Sequence, residues 1–311
     1  MTGTTDLYRG PQTFMDLPFR TDATGAGAAI LGCPFDCGTH PFRVGARQGP
    51  QAMRAQSGLV RRFHPERGDT DILAALGAVD AGDVALVPSR AEDAFEAIEA
   101  AARPLLAAGA ATLGFGGDGS VSLPLLRAAA ASHPDLAVLH VDSHTDAYGI
   151  DPVHRYDAAT QFTHAALEQR VRPSASWHVG LRGTVTLPGV HRHTRSLGYN
   201  VMTMRDFQDR GPAAAMAAIR ESLEGRPVYL SWDMDVFDPS CAPGVCTPVW
   251  GGFSAREGLE LLRALEGLDI VAADINTVSP PHDIQGMTAF LAAAVAYEIL
   301  LLIWQARGAP T

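Results

Sequence analysis

The chain has 311 residues, 47% of them hydrophobic, and a formal net charge of −10. That is ample apolar material for a large core, and an acidic chain without a basic cluster speaks against nucleic acid and anionic membrane as partners. Cys33, Cys37, Cys241 and Cys246 are spaced Cys-x3-Cys and Cys-x4-Cys, which reads as free thiols in a reducing cytoplasm and not as the Cys-x2-Cys of a zinc site.

The N-terminus lacks a charged-then-apolar signal pattern, so the expected location is cytoplasmic. No linker, repeat or low-complexity stretch divides residues 1–311, and one domain is expected. Ala28–Leu31 reads as a strand ending at Gly32-Cys33-Pro34. Gly49–Arg54 opens a helix with proline in its first turn. Ala91–Ala108 is a predicted helix, Thr112–Phe115 a strand, Gly116–Ser120 a loop and Val121–Ala131 a helix. Strands Ala137–Val141 and Trp177–Leu181 follow, then helix Pro212–Leu223, strand Val228–Trp232, helix Ala255–Leu265 and strand Ile270–Asp274. Thr288–Trp304 is the most apolar segment and approaches the length of a membrane span. Its Glu298 and many alanines instead predict a buried C-terminal helix. The alternation predicts an α/β fold of right-handed β-α-β units, with a mostly parallel sheet covered on both faces. Sites in such folds lie beyond the carboxyl ends of the strands.

Two segments occupy that position: Val141–Asp146, reading Val-Asp-Ser-His-Thr-Asp, and Ser231–Pro239. Residues at i, i+2 and i+4 of a strand share a side. Asp142, His144 and Asp146 therefore converge at the end of one strand, and Asp233 and Asp235 at the end of another. Four carboxylates and one imidazole make a site for Mn, Fe, Ni or Zn. Without a cation, crowded carboxylates raise each other's pKa values.

These segments resemble the ureohydrolase family of arginases, agmatinases, guanidinobutyrases and proclavaminate amidinohydrolase. So do Gly10–Met15, Gly38-Thr39 with Arg43–Pro50, Asp80–Val84, Ala242-Pro243-Gly244 and Thr247-Pro248. The earlier of these fit the agmatinase-like branch. The resemblance implies a three-layer α/β/α fold, a trimer or hexamer, and a pair of Mn²⁺ or Ni²⁺ ions that activate a bridging hydroxide against a guanidinium carbon. It also implies that Asp142 and Asp233 bridge both ions, that His144 and Asp235 complete one, and that Asp146 completes the other.

Three departures stand out. The family's Gly-Gly-Asp-His reads Gly116-Gly117-Asp118-Gly119, so the histidine partner of Asp146 is lost. The stretch like Tyr-His-His-Gly-Thr-Pro-Phe reads Tyr156-Asp157-Ala158-Ala159-Thr160-Gln161-Phe162, placing Ala158 where the family has a proton-shuttling histidine. Glu-Val-(Ser/Asn)-Pro reads Thr277-Val278-Ser279-Pro280, so the glutamate that receives the guanidinium is Thr277. Its hydroxyl can bond but cannot neutralise a cation, and a charge-assisted bond is roughly twice as strong as a neutral one. The residue set favours one ion at Asp142, His144, Asp233 and Asp235; an empty, partly protonated site and an unorthodox two-metal site stay open.

His154 and His164 flank the altered stretch and are read first as surface or supporting residues, although a loop shift would let either replace the lost histidine. Asp118 is read as support for its loop, Cys246 and Trp232 as packing, His282 as a loop residue and Trp250 as a pocket wall. Three functions stay open. The first is a catalytically impaired accessory chain that forms a hetero-oligomer with an intact ureohydrolase paralogue. That pattern resembles the nickel-dependent bacterial metformin (biguanide) hydrolases, which combine two unequal chains and yield guanylurea and dimethylamine. The others are an active homo-oligomeric amidinohydrolase with an altered substrate, and an amidine-binding pseudoenzyme.

Overall fold

The computed structural model describes residues 11–38, 40–153 and 155–308; Gly10, Thr39 and His154 lie outside the described residues. Eight strands form one sheet: β1 (Ala28–Gly32), β2 (Val79–Asp83), β3 (Ala111–Phe115), β4 (Ala137–Val141), β5 (Trp177–Leu181), β6 (Asn200–Thr203), β7 (Pro227–Asp233) and β8 (Asp269–Asn276). Their order is β2-β1-β3-β8-β7-β4-β5-β6. Every neighbouring pair is parallel, so the sheet is parallel throughout rather than mostly so.

Helices cover both faces, which is why the central strands are continuous apolar runs. Ile30, Leu113, Leu139 and Leu230 pack with helix Met287–Ala306 on one side. Leu31, Val138 and Tyr229 pack with helices Ala91–Ala107 and Ser122–Ser132 on the other. The apolar C-terminal segment is a mostly buried helix, as expected. Its Glu298 accepts a hydrogen bond from Arg263 at 2.8 Å.

Several short elements were not read from the sequence: β2, β6 and helices Gln161–Leu167, Val190–Ser196 and Met204–Arg210. Strand β2, Val-Asp-Ala-Gly-Asp, has the composition of a turn. It is a strand because β1 pairs with it and because Asp80, wholly buried, is met by donors. Arg54 donates to both Asp80 oxygens at 2.8 and 2.9 Å, and the backbone amides of Phe14 and Gly82 donate at 2.9 Å. Arg54 also pairs with Asp83. One guanidinium thus ties helix Gly49–Gln56 to the sheet edge.

The register positions the site. Val141 is opposite Trp232, Asp233 opposite Asn276 and Phe115 opposite Ile275. The residues following Val141 and Trp232, namely Asp142 and Asp233, therefore leave the sheet side by side.

Candidate metal centre

The five predicted ligands and the three altered positions face one cavity of about 410 Å³ at the carboxyl ends of the strands. Asp142, His144, Asp146, Asp233 and Asp235 line it, and so do Gly119, Ala158 and Thr277. All five donor residues are buried except His144, which is partly exposed. One donor atom from each of Asp142, His144 and Asp235 lies within 4.8 Å of the others. His144 Nδ1 stands 3.3 Å from Asp142 Oδ1 and 3.1 Å from Asp235 Oδ2. The Ser143 hydroxyl donates to Asp235 Oδ1 at 2.6 Å, and the His144 amide donates to Asp142 Oδ1 at 2.6 Å. Asp233 Oδ1 accepts from the Asp235 amide at 2.7 Å.

Burial raises the Asp233 and Asp235 carboxyls, and neighbouring carboxylates raise them further. Asp146 is held well above the ordinary range by burial and then by the charge of Asp142. Burial would raise Asp142 as well, but the imidazoles of His140 and His144 overcome it and hold this carboxyl well below. Burial would lower His144, yet Asp235 and Asp142 hold it well above the usual histidine range. A concentrated negative site held by protons and one imidazole is what a divalent cation relieves. Asp142 Oδ2 is buried and faces His140 Nε2 at 2.9 Å. Asp142, His144 and Asp235 therefore fit one ion, with Asp233 outside that group, and His140, Asp142 and Asp146 form a second group of donors within 4.8 Å of one another.

The other half of the site differs. Asp146 sits at φ +47°, a left-handed backbone that few non-glycine residues adopt, and Gln161 Nε2 donates to its Oδ2 at 2.5 Å. The loop carrying Gly119 has not moved away: a Cβ built there would stand 2.9 Å from Asp146 Oδ2 and 3.3 Å from the Ala158 carbonyl oxygen. Asp118 anchors that loop, accepting from Ser120 N at 3.1 Å, Ser120 Oγ at 2.5 Å and Cys37 N at 2.6 Å. Thr277 lines the cavity with its hydroxyl already engaged. Its hydroxyl donates to Asp233 Oδ1 at 2.5 Å, from a backbone at φ +67° pinned by Thr277 N donating to Gly117 O at 2.7 Å.

No surrogate histidine enters from the altered stretch among the described residues. His164 is buried, with Nε2 2.8 Å from the Arg155 carbonyl and its ring on Tyr156. Trp250 is 75% exposed and does not line the cavity, which corrects its reading as a pocket wall. Trp232 is wholly buried in the core, Cys246 lines the cavity, and all four cysteines are free. Sequence reasoning missed His140 and Gln161. His140 Nε2 lies 2.9 Å from Asp142 Oδ2 and its Nδ1 lies 2.9 Å from His178 Nδ1. His140 stands on β4 two residues before Asp142, which opens the bend that carries His144.

Parallel sheet, helices on both faces and a carboxylate–imidazole cluster at the strand ends define an α/β protein with a candidate metal site. The arginase family model matches residues 26–302, and the chain belongs to that family. It is 39% identical over 293 residues to proclavaminate amidinohydrolase of Streptomyces clavuligerus, covering 94% of this chain and 93% of the relative. The solved structure of that enzyme superposes with a TM-score of 0.91 at 38% identity, covering 96% of this chain and 99% of the other. Guanidinopropionase of Pseudomonas aeruginosa is 37% identical over 301 residues, covering 95% and 92%. Trypanosoma cruzi formiminoglutamase, solved with two Mn²⁺, superposes at a TM-score of 0.81 with 26% identity, covering 90% and 94%.

Proposed function

We propose that this chain is the catalytically impaired accessory subunit of a hetero-oligomeric, metal-dependent hydrolase of guanidine or biguanide compounds. Its partner is an intact ureohydrolase paralogue in a cytoplasmic trimer or hexamer, and its type is that of metformin hydrolase. The observation that carries this reading is position 119. Glycine there faces Asp146 and offers no donor, so the second ion loses its only ligand not shared with the first or supplied by Asp146. A bound ion, Ni²⁺ or Mn²⁺, supplies Lewis acidity and a nucleophile from water.

This chain's own residues do little more for the reaction. Ala158 moves no proton. Thr277 spends its hydroxyl on Asp233 and leaves a cationic substrate without a counter-charge. General acid–base help alone is worth about 10²–10⁴-fold. The losses need not add, because such groups act as a unit.

The test is a pair of variants in the co-expressed complex. Asp233→Ala in this chain should lower activity less than about tenfold, and the matching change in the paralogue more than about 100-fold. Equal losses would end the accessory reading. A second reading, an independent amidinohydrolase with a less cationic substrate, draws support from the cavity itself, where Val185 and Leu187 stand among the lining residues. A well-behaved homo-oligomer that turns over a guanidine compound would establish it.

A further inference from the structure

Gln161 opens helix Gln161–Leu167 and is 2% exposed. Its Nε2 donates to Asp146 Oδ2 at 2.5 Å, while its Oε1 is buried without a partner. A Cβ built on Gly119 would lie 2.7 Å from that same Nε2, closer than real side chains approach. The amide therefore fills the space between position 119 and Asp146, where an imidazole from residue 119 would need to lie. In the family stretch quoted above this position is a proline, which carries no side-chain donor.

The backbone that carries the amide is held in place. The Phe162 amide donates to the Asp146 carbonyl at 3.1 Å, the Tyr148 amide to the Ala159 carbonyl at 2.9 Å and the Thr163 hydroxyl to the Tyr148 carbonyl at 2.7 Å. These bonds stitch the start of the helix to the segment carrying Asp146. The bond from Nε2 to Asp146 Oδ2 then holds the amide in one orientation, with Oε1 left unpartnered.

We propose that Gln161 is a plug for the second metal position: it takes both the volume and the ligand that a second ion would use, so this chain holds at most one ion. This rests on the accessory-subunit reading and predicts that restoring residue 119 alone does not restore the pair.

The experiment compares full-length wild type, Gly119→His, Gln161→Ala and the double variant. Mn²⁺ is counted by plasma mass spectrometry after dialysis, and spin coupling is read by electron paramagnetic resonance. Gly119→His should retain the wild-type count, because its ring meets the amide. The double variant should gain about one further ion per chain and show an exchange-coupled spectrum. Gly119→His taking up the extra ion with Gln161 in place would overturn the plug. So would a double variant that melts like wild type and gains nothing, or a Gln161→Ala that loses the wild-type ion and so marks Gln161 as a ligand. If the alanine pair melts early, Gly119→His with Gln161→Ser is read in its place. Two ions on wild type would overturn the accessory reading itself; one ion with equal counts in Gly119→His and the double variant would overturn the plug alone.

Discussion

Thr277 combines a β-branched side chain with a left-handed backbone, a costly conformation that persists only where surrounding contacts enforce it. Thr277→Val keeps branching and backbone but removes the donor to Asp233. In the metal-free protein this should cost about 1–3 kcal/mol in urea unfolding, and the cost should shrink when Mn²⁺ replaces the lost donor. An unchanged midpoint would mean that the hydroxyl bond contributes nothing.

Asp118 makes a prediction about pH. Burial lifts its carboxyl from 3.8 to about 6, so the folded chain binds this proton more tightly than the unfolded chain. The stability it contributes is full below the ordinary carboxylate value and is lost as pH rises through about 6. The loss is on the order of 3 kcal/mol. Asp118→Asn should flatten unfolding free energy against pH between the two values, and parallel curves would refute the assignment.

At this scale the carboxylates of the centre were legible, because the two-residue spacing groups Asp142 with His144 and Asp233 with Asp235, although β4 ends at Val141 and Asp235 stands in a 3-10 turn beyond β7. Gln161 was not. Nothing in a glutamine's neighbours along the chain reveals that it faces a glycine on a distant loop.

Arg54 shows what an element owes to one side chain. With Asp80 wholly buried, Arg54→Met leaves a carboxylate without its counter-charge and should cost about 3–5 kcal/mol in chemical denaturation. Asp80→Leu added to it should recover much of that loss. A single-variant cost below about 1 kcal/mol would mean that water reaches the pair. The same contact explains which elements were hard to read. Ala137–Val141, Trp177–Leu181 and Pro212–Leu223 match the sequence reading residue for residue, because apolar runs and an initiating proline are local signals. Strand β2 exists through a long-range ion pair, and β6 through pairing with β5 alone. Neither interaction leaves a local pattern.

Across the whole molecule, ion binding and folding share the same protons. The raised Asp146, Asp233 and Asp235 carboxyls and the raised His144 must all release protons before they can ligate. Mn²⁺ at about 100 times its dissociation constant at pH 7.5 should stabilise the chain by about 2.7 kcal/mol. At pH 5.5 the same Mn²⁺ concentration should raise the melting temperature less. A shift independent of pH would argue that the ion binds elsewhere.

The strand order has a consequence for how the protein is made. Strands β3 and β4 are synthesised well before β7 and β8, which then wedge between them. From Phe115 to Asn276 a ribosome needs roughly 10–30 s. Once β6 ends at Thr203 and until β7 and β8 arrive, the nascent chain holds two part-sheets with bare facing edges, the arrangement most open to pairing with another chain. The carboxylates of β7 arrive with the strands that close this gap. An ion at this centre would therefore be captured among the last events in the making of a new molecule, and it could not guide the assembly that precedes it.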